Sequence, residues 1–131
     1  MTGEYNLSVL LASMAPTVTD TEYVFVSLPH GGYADCAHLQ PFATVQEREG
    51  LTLVLTKKAA DTHGVHYDSV FKCITLSVHS SLEAVGLTAA VSTALAKKGI
   101  SANVMAGYYH DHIFVPKQLA QQALAALVEF S

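Results

Sequence analysis

FKCITLSVH (71–79), SSLEAVGLTAAVSTALAKKG (80–99), ISANVMAGYY (100–109) and HDHIFVP (110–116) run consecutively and decide the fold. Ile74, Leu76 and Val78 alternate with Thr75, Ser77 and His79, which predicts a strand with one apolar and one polar face. Ser80-Ser81-Leu82-Glu83 has the spacing of a capping box, with Ser80 as N-cap and Glu83 reaching back. Val85, Leu87, Val91, Ala94 and Leu95 then recur at helical spacing. Lys97 and Lys98 complement the negative end of the helix dipole, and Gly99 supplies the stop. A strand over 103–109 is expected to turn at His110–Asp111 into a second strand, His112–Pro116, with Tyr108 and Tyr109 on alternate faces. A last helix starts near Pro116 and buries Leu119, Ala123, Leu124, Leu127 and Val128.

Upstream, Asn6–Met14 and Tyr23–Leu28 read as two strands around a loop holding Pro16, Thr17, Thr19 and Asp20. The stretch from His30 to Pro41, with Gly31–Gly32, reads as a long loop or a degenerate helix. Thr44–Glu49 and Leu51–Thr56 form a hairpin hinged at Gly50, and a short helix over Lys57–His63 stops at Gly64. The two halves match at an offset of 59 to 60 residues: Ala43-Thr44-Val45, Leu53-Val54-Leu55 and Lys57 against Ala102-Asn103-Val104, Ile113-Phe114-Val115 and Lys117. Each unit is a split βαβ, so the fold class is α+β: two ferredoxin-like units, 1–65 and 66–131, packed together as antiparallel sheets with helices on one face. Units of about 60 residues are marginal alone, so the two are expected to fold as one body.

Composition narrows the function. At 131 residues and 14.0 kDa, half hydrophobic and 14% charged, the chain has enough apolar mass for a real core. A net charge of −4 and seven scattered Lys and Arg leave no basic stripe to displace counterions, which argues against a nucleic-acid partner. No run approaches the ~20 apolar residues of a bilayer span. The N-terminus carries Glu4 and no Lys or Arg before its apolar run, unlike a signal peptide. Cys36 and Cys73 have no CxxC spacing and are expected to be reduced packing residues in a cytoplasmic protein.

The stretch 80–116, with weaker support from EREGLTLVLTKKAADTHG (47–64), resembles the ACT-domain proteins, specifically small bacterial chains of tandem ACT-like units. It is similar to the ACT units of cytosolic arginine sensors. The resemblance covers most of the chain but departs at 30–41. It implies a non-catalytic regulatory module that binds an amino acid or other small ligand, commonly attached to a metabolic enzyme. Here the implied pocket is Ser80, Ser81, Val85, Gly86 and Leu87 at the helix start, facing Gly107, Tyr108, Tyr109, His110, Asp111 and His112. The acidic residue and proline usual before the glycine are replaced by Ser80–Val85, which leaves the ligand open.

The residues allow the same chemistry. Amides opening a helix favour a carboxylate. Gly86 near that start costs helix stability on the order of 1 kcal/mol relative to alanine, which close approach of a ligand or a neighbouring backbone would offset. Asp111 suits a ligand ammonium, and equally a hairpin turn. His110 and His112, with His79 from a neighbouring strand, raise a metal-assisted enzyme as an alternative. A pure oligomerisation module is the third. Ser80–Ser81 lacks a nucleophile elbow, Cys73 falls inside a strand, and Gly31–Gly32 lacks phosphate-loop spacing. No cofactor is expected, and a homodimer is.

Overall fold

The computed structural model describes residues 13, 15–77 and 86–129. Nine elements follow: β1 (Pro16–Leu28), β2 (Ala43–Glu47), β3 (Gly50–Thr56), α1 (Lys57–Thr62), β4 (Phe71–Leu76), α2 (Leu87–Lys97), β5 (Asn103–Ala106), β6 (Asp111–Pro116) and α3 (Ala120–Val128). The strands ladder in the order β2-β3-β1-β4-β6-β5 as an antiparallel α+β sheet. By contacts the chain divides into a unit from Thr21 to Phe71 and a second formed by Lys72 onward with the described residues up to Asp20.

In the Thr21–Phe71 unit, β1 pairs with β3 from Tyr23↔Thr56 to Leu28↔Leu51, and β2 pairs with β3 from Ala43↔Val54 to Glu47↔Gly50. Strand alternation sends Val24, Leu51, Leu53 and Leu55 to one face, where they pack with Cys36, Leu39 and Ala60. The segment left open as loop or helix is two short 3-10 turns, Tyr33–Asp35 and Ala37–Leu39, which seat Cys36 and Leu39 in that core. The Thr56 hydroxyl accepts the Ala59 N–H and caps α1, while Gly64 ends it at φ +67°.

In the other unit, Ile74 and Leu76 of β4 and Ile113 and Val115 of β6 face Leu87, Val91 and Leu95 of α2 and Ala123 and Leu127 of α3. Lys97 closes α2 and Gly99 follows at φ +72°, as expected of a helix stop. Phe114, between two core-facing neighbours, lies on the other sheet face and is fully buried. The repeat is exact in register: Ala43↔Val54 and Thr44↔Leu53 recur sixty positions later as Asn103↔Phe114 and Val104↔Ile113.

Several expectations are corrected. Residues 16–20 are not a loop but the start of β1: Pro16 takes a first strand position, where its missing N–H is harmless, and Thr17, Val18 and Thr19 are β-branched. Of Asn6–Met14 only Ser13 is described, and it is helical, not extended. The first hairpin turns on Arg48–Glu49, and Gly50 already belongs to β3. Val128 is not in the buried stripe of α3, where Ala120 and Ala126 are instead. The helix predicted from Ser80 has its described start at Leu87, with Gly86 as N-cap, because the left-handed Gly86 (φ 99°, ψ −20°) cannot sit inside a helix. The capping box, with Val78 and His79, lies outside the described residues. Both cysteines are free and buried.

Candidate functional site

The site residues predicted from sequence fall into two groups within one unit. Gly86 and Leu87 stand at the start of α2, while Ser80, Ser81 and Val85 lie outside the described residues. Gly86 has no side chain to cap the helix, so amides of the first turn are not satisfied by their own N-cap; its carbonyl accepts the Ala90 N–H at 2.8 Å. The Leu87 side chain is buried in the core against Ile74 and Val91, so only its backbone is placed to meet a ligand.

Gly107 to His112 form the β5–β6 connection. The last ladder pair is Ala106↔Asp111, leaving a four-residue turn closed by Gly107 N–H donating to the His110 carbonyl at 2.9 Å. Tyr108 and Tyr109 are therefore the central turn residues, not alternating strand positions. Neither packs in the core: they are 62% and 60% exposed, with rings edge to face at 5.0 Å. A Cβ on Gly107 would stand 2.8 Å from the His110 carbonyl oxygen, so this turn requires the bare glycine. Asp111 is not at the hairpin tip but opens β6, half-buried.

Sequence reasoning missed the partner of His112. The Thr75 hydroxyl on β4 lies 3.1 Å from His112 Nδ1, and Met105 on β5 is its opposite number. Burial depresses the His112 pKa below the ordinary histidine value; His110 adds to this and Asp111 opposes it. Burial raises the Asp111 carboxyl above its usual range, against the pull of His112 and His110. The only advance signal for Thr75 was its place on the polar face of β4.

These shifts have opposite consequences. A depressed histidine stabilises the fold above its unfolded pKa near 6.5, and that contribution is lost as pH falls through the folded value. A raised carboxyl stabilises below 3.8 and loses that contribution as pH rises through its folded value. Loss of the His112 contribution is expected to lower the melting temperature as pH falls below its unfolded value near 6.5, with Asp111 opposing it, and His112→Gln should remove that downward slope in melts across the acidic range. An unchanged slope in the variant would remove His112 as its cause.

For the metal alternative, His79 lies outside the described residues, and among the described residues no three His, Cys, Asp or Glu side chains gather. Burial raises the Cys73 thiol, which opposes nucleophile formation. A groove of about 660 Å³ between α2 and α3 is lined by Ala89, Ala90, Thr93 and Ala94 with Lys97 and Glu129, and holds none of the predicted residues. No described helix is long and apolar enough to cross a membrane.

An antiparallel α+β sheet built from two sixty-residue repeats defines a tandem ferredoxin-like protein. ACT-domain family models match residues 2–72 and 68–129, and the chain belongs to the ACT-domain family. A Vibrio cholerae protein of unknown function, described as a possible transport protein, is 56% identical over 95% of this chain and 94% of its own, with a TM-score of 0.86. An Agrobacterium tumefaciens protein shares the fold at 16% identity and TM-score 0.65, covering 89% of this chain and 88% of its own. So does the regulatory subunit of aspartate kinase from Thermus flavus, at 11% identity and TM-score 0.60, covering 90% and 96%. No curated protein sequence matches the chain.

Proposed function

We propose that this protein is a non-catalytic regulatory module that binds a small molecule, an amino acid, at the start of α2 and the β5–β6 turn. The ligand carboxylate meets amides of Gly86 and the first turn of α2; Ser80, Ser81 and Val85 complete that side. Asp111 takes the ammonium, with Gly107, Tyr108, Tyr109, His110 and His112 around it. The two ACT-like units are 1–65 and 66–131, and the protein works in the cytoplasm as a homodimer, its output a shift between two states of unequal affinity.

The observation that carries this is Gly86: a left-handed N-cap without a side chain, opening an eleven-residue helix in an ACT-domain protein. A helix start of that kind favours an anion. Membership of a family of regulatory domains and the likeness to an aspartate kinase regulatory subunit support the class of function.

A thermal-shift screen of the twenty amino acids tests it. A ligand at about 100 times its Kd stabilises the fold by ~2.7 kcal/mol, roughly 10 °C in a chain of this length. One amino acid is expected to stand out, and its shift to vanish in Gly86→Val, each variant compared with its own unliganded melt. A shift that survives in the variant moves the site elsewhere. Concentration-dependent association with no ligand response favours the oligomerisation module.

A further inference from the structure

The Thr21–Phe71 unit carries a separate groove of about 540 Å³ between the C-terminal half of β1, the start of β3 and the segment after α1. That volume lies within the range of small-molecule sites, about 300–1,000 Å³. Phe25, Ser27, Thr52, Val65, His66 and Asp68 line it, with the ring of Tyr67 held by its hydroxyl donating to Asp61 at 2.8 Å.

We infer that this groove binds a small organic cation with an apolar body, an alkyl- or arylalkyl-ammonium. Three observations converge on that chemistry. The apolar part is pre-set, because Phe25 is packed edge to face on Phe71 at 5.1 Å and offers a fixed aromatic wall, a surface that attracts cations. The polar part accepts hydrogen bonds: the Thr52 hydroxyl donates to the Glu47 carboxylate, which orients its lone pairs for a donor and brings a negative charge behind it. The rim has Asp68, bonded to His66 at 3.2 Å, and among the described residues no lysine or arginine lines it; the nearby Lys57, behind Tyr67, is already neutralised by Asp61 at 2.9 Å, so an anionic ligand meets a carboxylate without a free counter-charge.

The repeat supplies further support. Val45↔Thr52 becomes Met105↔His112 sixty positions later, so His112 is the counterpart of Thr52. In the second unit that position is taken by an imidazole bonded to Thr75; in the first, the smaller threonine leaves space.

Calorimetric titration of the full chain with phenethylamine and, as a matched anion, phenylacetate tests this. The amine is expected to bind 1:1 with a sub-millimolar Kd, and phenylacetate about tenfold or more weakly, the worth of a charge-assisted contact. Thr52→His, which places the second unit's residue in the groove, should abolish amine binding. Asp68→Asn, at a side chain 92% exposed and therefore neutral to folding, should weaken the amine several-fold. Gly86→Val should leave the amine unaffected, which separates this groove from the amino acid site. No amine binding at 10 mM (about 10 times the weakest Kd expected), equal binding of both probes, or amine binding unchanged in both groove variants overturns the proposal.

Discussion

Gly50→Ala is expected to lower the melting temperature by about 10 °C or more, and Gly64→Ala by a few degrees only. Both glycines have positive φ, +145° and +67°, so both substitutions force an L side chain into disfavoured backbone. That alone costs about 1–2 kcal/mol. Their surroundings differ. A Cβ on Gly64 meets nothing within 4 Å, whereas one on Gly50 falls 2.7 Å from both the Leu28 carbonyl oxygen and Pro29 Cα, and 2.9 Å from the Pro29 oxygen. Those atoms are all backbone, so no side chain can rotate away. Relief requires moving the end of β1, which is held by the Leu28↔Leu51 pair beside Gly50. Overpacking adds about 1–3 kcal/mol, for a total of roughly 2–5 kcal/mol out of the 5–15 kcal/mol typical of a domain. Urea and thermal unfolding of the two variants measure the difference. Equal losses would mean the β1 end yields freely and the close approach is incidental.

The same glycine shows how far the sequence could be read. That 43–56 is a hairpin followed by a stopped helix was legible from alternation, Gly50 and Gly64; that Gly50 sits in β3, after the turn, was not. A turn's position depends on ladder pairs between residues, and a glycine selected for close approach looks like one selected for turning. The second hairpin repeats the lesson. Tyr108 and Tyr109 read as strand because aromatic residues favour strands, but the Gly107–His110 backbone bond places them at the tip. At β1, Pro16 read as a breaker, although at a first strand position it breaks nothing. By contrast β4, the end of α2 and the sixty-residue repeat were legible, since alternation, Lys97 and Gly99 are local signals. The candidate site divides the same way. The polar turn residues and Gly86 announced themselves, while Thr75 against His112 depends on two strands 37 residues apart.

Leu127→Ala is expected to cost 2–5 kcal/mol, and Val128→Ala to change stability by less than about 0.5 kcal/mol. The two are neighbours in α3, and helical spacing alone assigns both to the buried stripe. Leu127 is fully enclosed with Ala120 and Ala123 in the core over β4 and β6, so truncating it removes buried methyls and leaves a cavity. One residue later the helix has turned about 100°, and Val128 is 52% exposed. Its loss removes little contact, and alanine's higher helix propensity offsets part of that. Chemical denaturation of the two single variants measures the contrast. A Val128→Ala loss of 1 kcal/mol or more at high protein concentration, disappearing on dilution, would place α3 in the homodimer interface and link this helix face to assembly.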